Sequence, residues 1–511
     1  MDETKNQTRS ASCARFYPVD ADVWSRSRRS RRSKRAVSPT ATGAAVGLLA
    51  AAALLIALAG RASAEDRPAF QGLRFAENWS VLKNTTPATA DFFDRIKYIP
   101  LAGTDWAWLS LGGQLRERVE AWNGYAFGAP AGSDDDAVYL VSRLLAHGDL
   151  HLGSHLRAFV EARSSLATDR DLAGGRRTSE VDEIDLENAF ADVAFDVGDA
   201  KVTLRGGREE MLLGKERLVS PLDWSNTRRT FEGAAAIVGL GQWNARGFWS
   251  RPVVIEKYDF NSNDDATEFY GIYVTHAPAA PGALGFDLYW LGLERDSATF
   301  NGTSGKEERH TLGARVGGPI PLGTSDYEVE AAYQFGDVGS ADVSAFMVTA
   351  QAGTTFGEVT AKPRFEFGVD YASGDDAAGN GTVGTFNQLF PLGHAYLGYI
   401  DIVGRQNVID LRESASCAFI AATTLKLDVH YFLRADDNDA LYNAGGAVVR
   451  AGNLGSSDEI GTELDFTLKR AFGRHLSALL GYSHLFAGNF IDESGPDKDT
   501  DFGYFSIQYT L

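Results

Sequence analysis

Cysteine is nearly absent from this chain, with 2 in 511 residues. Cys13 precedes what reads as a secretory cleavage site, so the exported chain keeps Cys417 alone and can form no internal disulfide. A disulfide framework and a paired-cysteine zinc site are both excluded. A large exported protein without disulfides needs other means of stability, and barrel closure, which leaves no unpaired strand edge, is one. Proline is also scarce, 15 against 54 glycines, which with 11% aromatics suits many strands and turns. Beyond the leader no run approaches 18 consecutive apolar residues, so no transmembrane helix follows it. Cations are the minority, 49 Lys and Arg against 68 Asp and Glu. The first 64 residues hold 11 of those cations and 4 of the acids, so the remainder carries 38 against 64, a net charge of −26. Such a balance argues against nucleic-acid binding. No Ser–His–acid pattern and no Gly-rich phosphate loop stands out, so neither an enzyme nor a cofactor is expected.

What is present begins with a leader. Arg26 to Arg35 form a basic run, Ala44–Ala59 an apolar stretch, and Ala62-Ser63-Ala64 a cleavage motif before Glu65. This order reads as a signal peptide spanning residues 1–64, with a long basic n-region and cleavage near Ala64. The paired arginines lack the following Phe-Leu-Lys of a twin-arginine signal, and an outer-membrane strand protein crosses the inner membrane unfolded, so the general secretory route is expected. No cysteine stands at the cleavage point, which excludes a lipoprotein.

Residues 65–104 read as a short periplasmic segment and residues 105–511 as a transmembrane β-barrel. In the last eleven residues, Phe505, Ile507, Tyr509 and Leu511 alternate with Tyr504, Ser506, Gln508 and Thr510, as expected of a closing barrel strand. About 18 such alternating segments run from residue 108 to the end, which predicts an all-β, monomeric, up-and-down antiparallel barrel in the outer membrane. Connections after even-numbered strands are mostly tight. Those after odd-numbered strands are long: 123–136, 166–183, 212–230, 254–265, 296–309, 373–404, 435–457 and 488–500. The short connection at Asp337 to Ala341 breaks that rule. Short periplasmic turns and long external loops are the outer-membrane pattern.

With the apolar face toward lipid, the opposite face places Arg116, Arg118, Arg143, Arg157, Arg163, Arg315, Arg364, Arg412, Lys426 and Arg434 in the lumen. Arg or Lys on the lipid face costs roughly 2–4 kcal/mol at mid-bilayer, so the inner face is strongly favoured. Strict alternation puts Arg205 inside and Arg208 outside, unless Gly206-Gly207 is a bulge that returns Arg208 to the lumen. Glu117 falls on the outer face as an exception. These cations either pair with lumen acids such as Glu120, Asp149, Glu161 and Glu366 and stiffen the wall, or converge on a constriction that attracts an anionic solute. His147, Asp149 and His151 on one strand face resemble a metal or acid/base cluster, but one strand face suits a hydrogen-bond network better. Acidic loops, Asp436-Asp437-Asn438-Asp439 among them, fit either a solvated surface or divalent cations bridging lipopolysaccharide. Expected partners are outer-membrane lipids and lipopolysaccharide, the barrel-assembly machinery during biogenesis, and the transported solute.

Several stretches resemble the alginate export family of outer-membrane proteins: Glu77-Asn78-Trp79, Asp94 to Leu101, Leu111 to Arg116, Gly207-Arg208-Glu209-Glu210, Arg217 to Pro221, Arg228 to Gly233, His310 to Arg315, Asp370 to Asp375, and Asn407 to Leu411. The resemblance covers nearly all of the chain after the leader, in order. It implies an 18-stranded monomeric barrel with an electropositive pore. It also implies a long periplasmic loop before the penultimate strand that can plug the pore. Here that turn is only Ala471 to Arg474, a departure that puts gating and polymer transport in question. The function expected is passive conduction of anionic saccharides, including export of alginate-like polyuronate. The alternative is a general or small-solute porin.

Overall fold

Side-chain alternation at a period of two is carried by eighteen antiparallel strands that close on themselves. The computed structural model describes residues 67–511 apart from 85–90, 102, 105, 129, 131–132, 278–282, 322 and 421. The leader and its cleavage site lie outside the described residues. The strands are β1 (Ala107–Asn123), β2 (Ala137–Leu152), β3 (Leu156–Ala167), β4 (Asp182–Val197), β5 (Ala200–Glu209) and β6 (Phe231–Leu240). They continue as β7 (Trp243–Val254), β8 (Thr267–His276), β9 (Gly285–Phe300), β10 (Thr303–Pro319), β11 (Ser325–Val338) and β12 (Ala341–Thr355). The last six are β13 (Arg364–Ala372), β14 (Val408–Ile420), β15 (Thr423–Leu433), β16 (Glu459–Ala471), β17 (Leu476–Ala487) and β18 (Thr500–Thr510).

Each strand pairs with the next, and β1 pairs with both β2 and β18, from Gln114 opposite Thr510 to Asn123 opposite Asp501. No barrel strand is left with an open edge, which satisfies backbone groups that hydrocarbon could not. Leu111, Leu115, Val119, Phe365 and Phe367 are exposed on the outer wall, while Arg116, Arg118 and Glu120 are buried inside. Glu117 does lie on the outer face, where the Ser142 hydroxyl donates to its carboxylate at 2.5 Å.

One end of the barrel carries the tight turns, such as Gly198-Asp199 and Gly241-Gln242, and is called the turn end; the opposite end carries the long connections. Two long-side connections are short. Gly339-Ser340 joins β11 to β12, and the expected loop 296–309 is a hairpin turned at Asn301-Gly302. Ala298 and Phe300 explain the extension. They pack with Val338, Ala341, Val343 and Val383, so the strands run on into a small apolar cap.

The largest departure from expectation is inside. Connections 210–230 and 373–407 do not stand away from the barrel as surface loops. They fold into it, and Leu213, Leu218, Val219, Phe386, Leu397, Ile400 and Val403 are buried in one apolar cluster with inward residues such as Phe231, Phe269 and Tyr504. The two connections zip together through backbone bonds: Ser220 N–H to Phe390 O at 2.9 Å, Phe390 N–H to Leu218 O at 2.8 Å, and Leu392 N–H to Glu216 O at 2.9 Å.

The segment before β1 packs at the turn end. Ile99–Pro100 pairs with Trp108 and Leu109 of β1. Phe75 reaches the inner wall, with ring centroids 5.8 Å from Phe159 and 5.1 Å from Phe190.

Candidate functional site in the barrel lumen

The inward arginines of β1 and β2 hold the first in-folded connection by its backbone. Arg116 donates to the Asp223 and Ser225 carbonyls, both at 2.7 Å, and to Trp224 O at 3.3 Å. Arg118 donates to Trp224 O at 2.7 Å and pairs with Glu120 at 2.6 Å, its guanidinium 3.9 Å above the Trp224 ring. Arg143 donates to Gln114 Oε1 at 2.8 Å and Asp223 Oδ1 at 2.7 Å. Asp223 keeps about 53% of its side chain exposed, and Arg228, Arg143 and Arg116 around it hold its carboxyl well below the usual carboxylate range. These arginines therefore position a constriction and do not line an open channel.

The other expected lumen cations lie mostly on the inner wall, each beside acids. Arg157 grips Asp149 with two bonds of 2.7 and 2.8 Å, and Arg163 pairs with Asp182 and Glu187. Arg205 does the same with Asp192, at 2.7 and 2.8 Å, and also meets Glu209 at 2.9 Å. Toward the turn end, Arg315 pairs with Asp287 and Glu328, Arg364 with Asp326 and Glu366, Arg412 with Glu366, and Lys426 with Asp428. Arg364 and Lys426 keep about 27% and 32% of their side chains exposed, so water reaches this wall.

Two expected lumen residues are elsewhere. Pairing on both sides of Gly206-Gly207 runs without a register shift, so no bulge returns Arg208 to the lumen. Arg208 shares the outer alternation with Leu204 and is paired with Asp185 and Glu232. Arg434 lies just past the end of β15. There it donates to Asp437 O at 2.8 Å and Ser457 O at 2.9 Å and stacks 3.8 Å over Phe490, closing the 434–458 connection.

His151 Nε2 lies 3.1 Å from Asp149, and His147 Nδ1 lies 3.4 Å from Glu161. With Arg157 on Asp149 and the His151 ring stacked on Trp108, this is a wall network. Among the described residues no group of three His, Cys, Asp or Glu side chains is arranged to hold a metal ion.

Cations that strand alternation could not reveal ride on the in-folded connections. Arg217 pairs with Glu328 and Glu330 across the lumen, and Arg405 pairs with Asp370 and donates to Arg217 O at 3.1 Å. Arg228 pairs with Glu210 and Asp223 and donates to Gly72 O at 3.0 Å, tying the constriction to the segment before β1. The residues that fold inward with them include Leu213, Leu218, Val219, Phe386, Leu397 and Val403, which a solvated loop would leave exposed. At the loop end a cavity of about 590 Å³ remains, lined by Arg118, Arg177, Arg229 and Arg450, by Trp122, Tyr125, Trp224, Tyr399 and Phe502, and by Glu120, Glu180 and Asp401.

The profile described as alginate export matches residues 107–505. The chain belongs to the alginate export family. Comparison with curated proteins gives no match. Solved structures of similar fold include OpdL of Pseudomonas aeruginosa, with TM-score 0.51, 13% identity, and coverage of 79% of this chain and 98% of that chain. OpdQ of the same organism has TM-score 0.51 and 14% identity, covering 79% of this chain and 97% of that one. The outer membrane protein OpdK, also of Pseudomonas aeruginosa, has TM-score 0.50 and 11% identity, covering 79% and 98%. At these identities the likeness is one of fold. This alginate export family member thus has the architecture of outer-membrane transport barrels.

Proposed function

We propose that the protein is a passive outer-membrane pore for anionic solutes of the saccharide class, with its turn end toward the periplasm. The observation that carries this reading is the pair of in-folded connections, which narrow the barrel and bring into it Arg229, with no acid partner among the described residues, beside the ion-paired Arg217, Arg228 and Arg405. Low-dielectric walls focus the field of such cations on a narrow passage. Family membership supports polyuronate export as the finer form of the same function. The lipid-facing outer wall fits outer-membrane lipids and lipopolysaccharide as partners, and a barrel of this kind needs the assembly machinery to insert. A small-solute porin is the second reading, favoured by the neutralisation of most wall arginines by neighbouring acids.

Single-channel recording on refolded protein under a salt gradient tests the first reading. Anions are expected to permeate better than cations at low salt, with the preference fading as screening rises, and glucuronate or polyuronate is expected to interrupt the current. A cation-selective pore indifferent to both would leave the small-solute porin as the account.

A further inference from the structure

Two arginines at the loop end have no carboxylate to pair with among the described residues. Arg229 Nη1 reaches only the Ser220 and Pro391 carbonyls, both at a long 3.3 Å. Arg450 donates to Val449 O at 3.2 Å and Pro496 O at 2.8 Å, and its Nε is buried without an acceptor. Nε and Nη2 of Arg229 have no protein acceptor among the described residues and are not among its buried, unpartnered atoms, so solvent reaches them. For both side chains burial alone lowers the guanidinium pKa, to about 10 for Arg229, with no acid beside them to offset it.

Both arginines line the 590 Å³ cavity, a size that suits a small organic ligand. Its acids are already engaged: Glu120 with Arg118, Glu180 with Arg177, and Asp401 with His394 at 3.1 Å. A carboxylate entering the cavity would therefore meet cations that are short of a counter-charge, and a guanidinium edge suits it geometrically. The walls add flat apolar faces. Both faces of Trp224 are covered, by the Arg118 guanidinium at 3.9 Å and the His394 ring at 3.8 Å, whereas Trp122, stacked on Phe502 at 4.0 Å, also lines the cavity. Such faces take up the ring of a sugar or of an aromatic acid.

We propose that this cavity binds a solute bearing a carboxylate on a six-membered ring, with the carboxylate on Arg229, Arg450 as the second cation, and the ring against Trp122. The proposal rests on the anionic-pore reading and adds to it a defined station with a measurable affinity.

The experiment uses the full mature protein in planar bilayers, with sodium glucuronate, sodium benzoate and neutral glucose as probes. Current interruption gives the dissociation constant of each, and tryptophan fluorescence gives the same quantity without conduction. Heat-modifiable mobility on gels confirms that each variant folds. Arg229→Gln is expected to weaken binding of the preferred carboxylate by about tenfold, Arg450→Gln by less, and Arg229→Lys to restore part of it. Lys201→Gln, on an exposed ion pair with Asp196, is expected to leave binding as it was. Preference for glucuronate over benzoate would assign the site to sugar acids, and the reverse to aromatic acids; either supports the site. Unchanged affinity in the Arg229→Gln, Arg450→Gln double variant, or glucose binding as tightly as glucuronate, would overturn it. Fluorescence-detected binding to a protein that passes no current would sink the pore reading and leave the site standing.

Discussion

Arg116 is an inward arginine whose hydrogen bonds end on backbone carbonyls, and that decides what its loss should do. Removing it takes one donor from each of the Asp223, Trp224 and Ser225 carbonyls, leaving them to Arg118 and Arg143, and weakens docking of the 210–230 connection by about 2 kcal/mol, the scale of hydrogen bonds to a charged group. Arg116→Ala is therefore expected to raise single-channel conductance and current noise together as the constriction loosens. Arg364→Ala removes a wall cation that water reaches instead, and is expected to lower the anion/cation ratio at low salt without the added noise. Bilayer recording of the two variants side by side checks the contrast. If both shift selectivity equally and neither adds noise, Arg116 is a channel-lining charge and not a loop anchor.

At the scale of elements, the segment before β1 is held at the turn end by borrowed contacts. Arg157 donates to Phe75 O at 2.6 Å, Arg228 to Gly72 O, and Arg74 to Leu511 O at 2.8 Å. Arg157 and Arg228 keep their own carboxylates whether or not the segment is docked. Its departure would leave neither charge unpaired, so undocking is inexpensive electrostatically. Deleting residues 67–84 is expected to raise conductance about twofold by widening the mouth on the side of β1 to β5. A conductance equal to that of the intact chain would show that solute passes clear of the segment.

Docking of that segment should also depend on pH. Burial, together with the nearby Arg74 charge, pushes Lys97 down to about 8. Undocked, it would titrate near its ordinary 10.5. Below pH 8 both states are charged and the burial penalty is fully felt. Between about 8 and 10.5 the undocked state holds more protons, so docking strengthens as pH rises. Slower proteolysis of the segment at pH 9.5 than at pH 7, measured on folded barrels with one protease active at both, is the expected result. Lys97→Met should remove the difference.

At the scale of the whole molecule, closure of β18 on β1 predicts a barrel that resists detergent until heated, seen as a mobility shift between unheated and boiled samples. Its outer wall sets a second expectation. Leu115→Arg puts a charge on the lipid face beside Leu144 and Tyr509 and should destabilise the barrel by about 2–4 kcal/mol if that level is near the bilayer midplane. Denaturant titration of the refolded protein in lipid reads that loss. On a Cys417→Ser background, a water-soluble thiol reagent should label a cysteine at Arg364 far faster than one at Phe365, which stands on the lipid side.

What the amino-acid sequence alone determined is the wall. Leu111, Leu115 and Val119 against Arg116, Arg118 and Glu120 follow a period that depends only on the pleat of a strand and the cost of charge in hydrocarbon, so strand number, faces and the alternation of connections were legible. The register at Gly206-Gly207 was not, because strict alternation and a bulge are both compatible with the same residues, and only pairing with β4 and β6 put Arg208 outside. Nor was the lumen. Whether a wall arginine faces water or a neighbour depends on chain folded in from far away, as Trp224 meets Arg118 across 106 residues and Phe390 bridges to Val219 of the other in-folded connection. Connections 210–230 and 373–407 carry no periodicity for sequence to reveal. Their apolar residues turn inward because the lumen is the nearest place where Leu218, Phe386 and Ile400 can leave water, and only the closed barrel supplies that space.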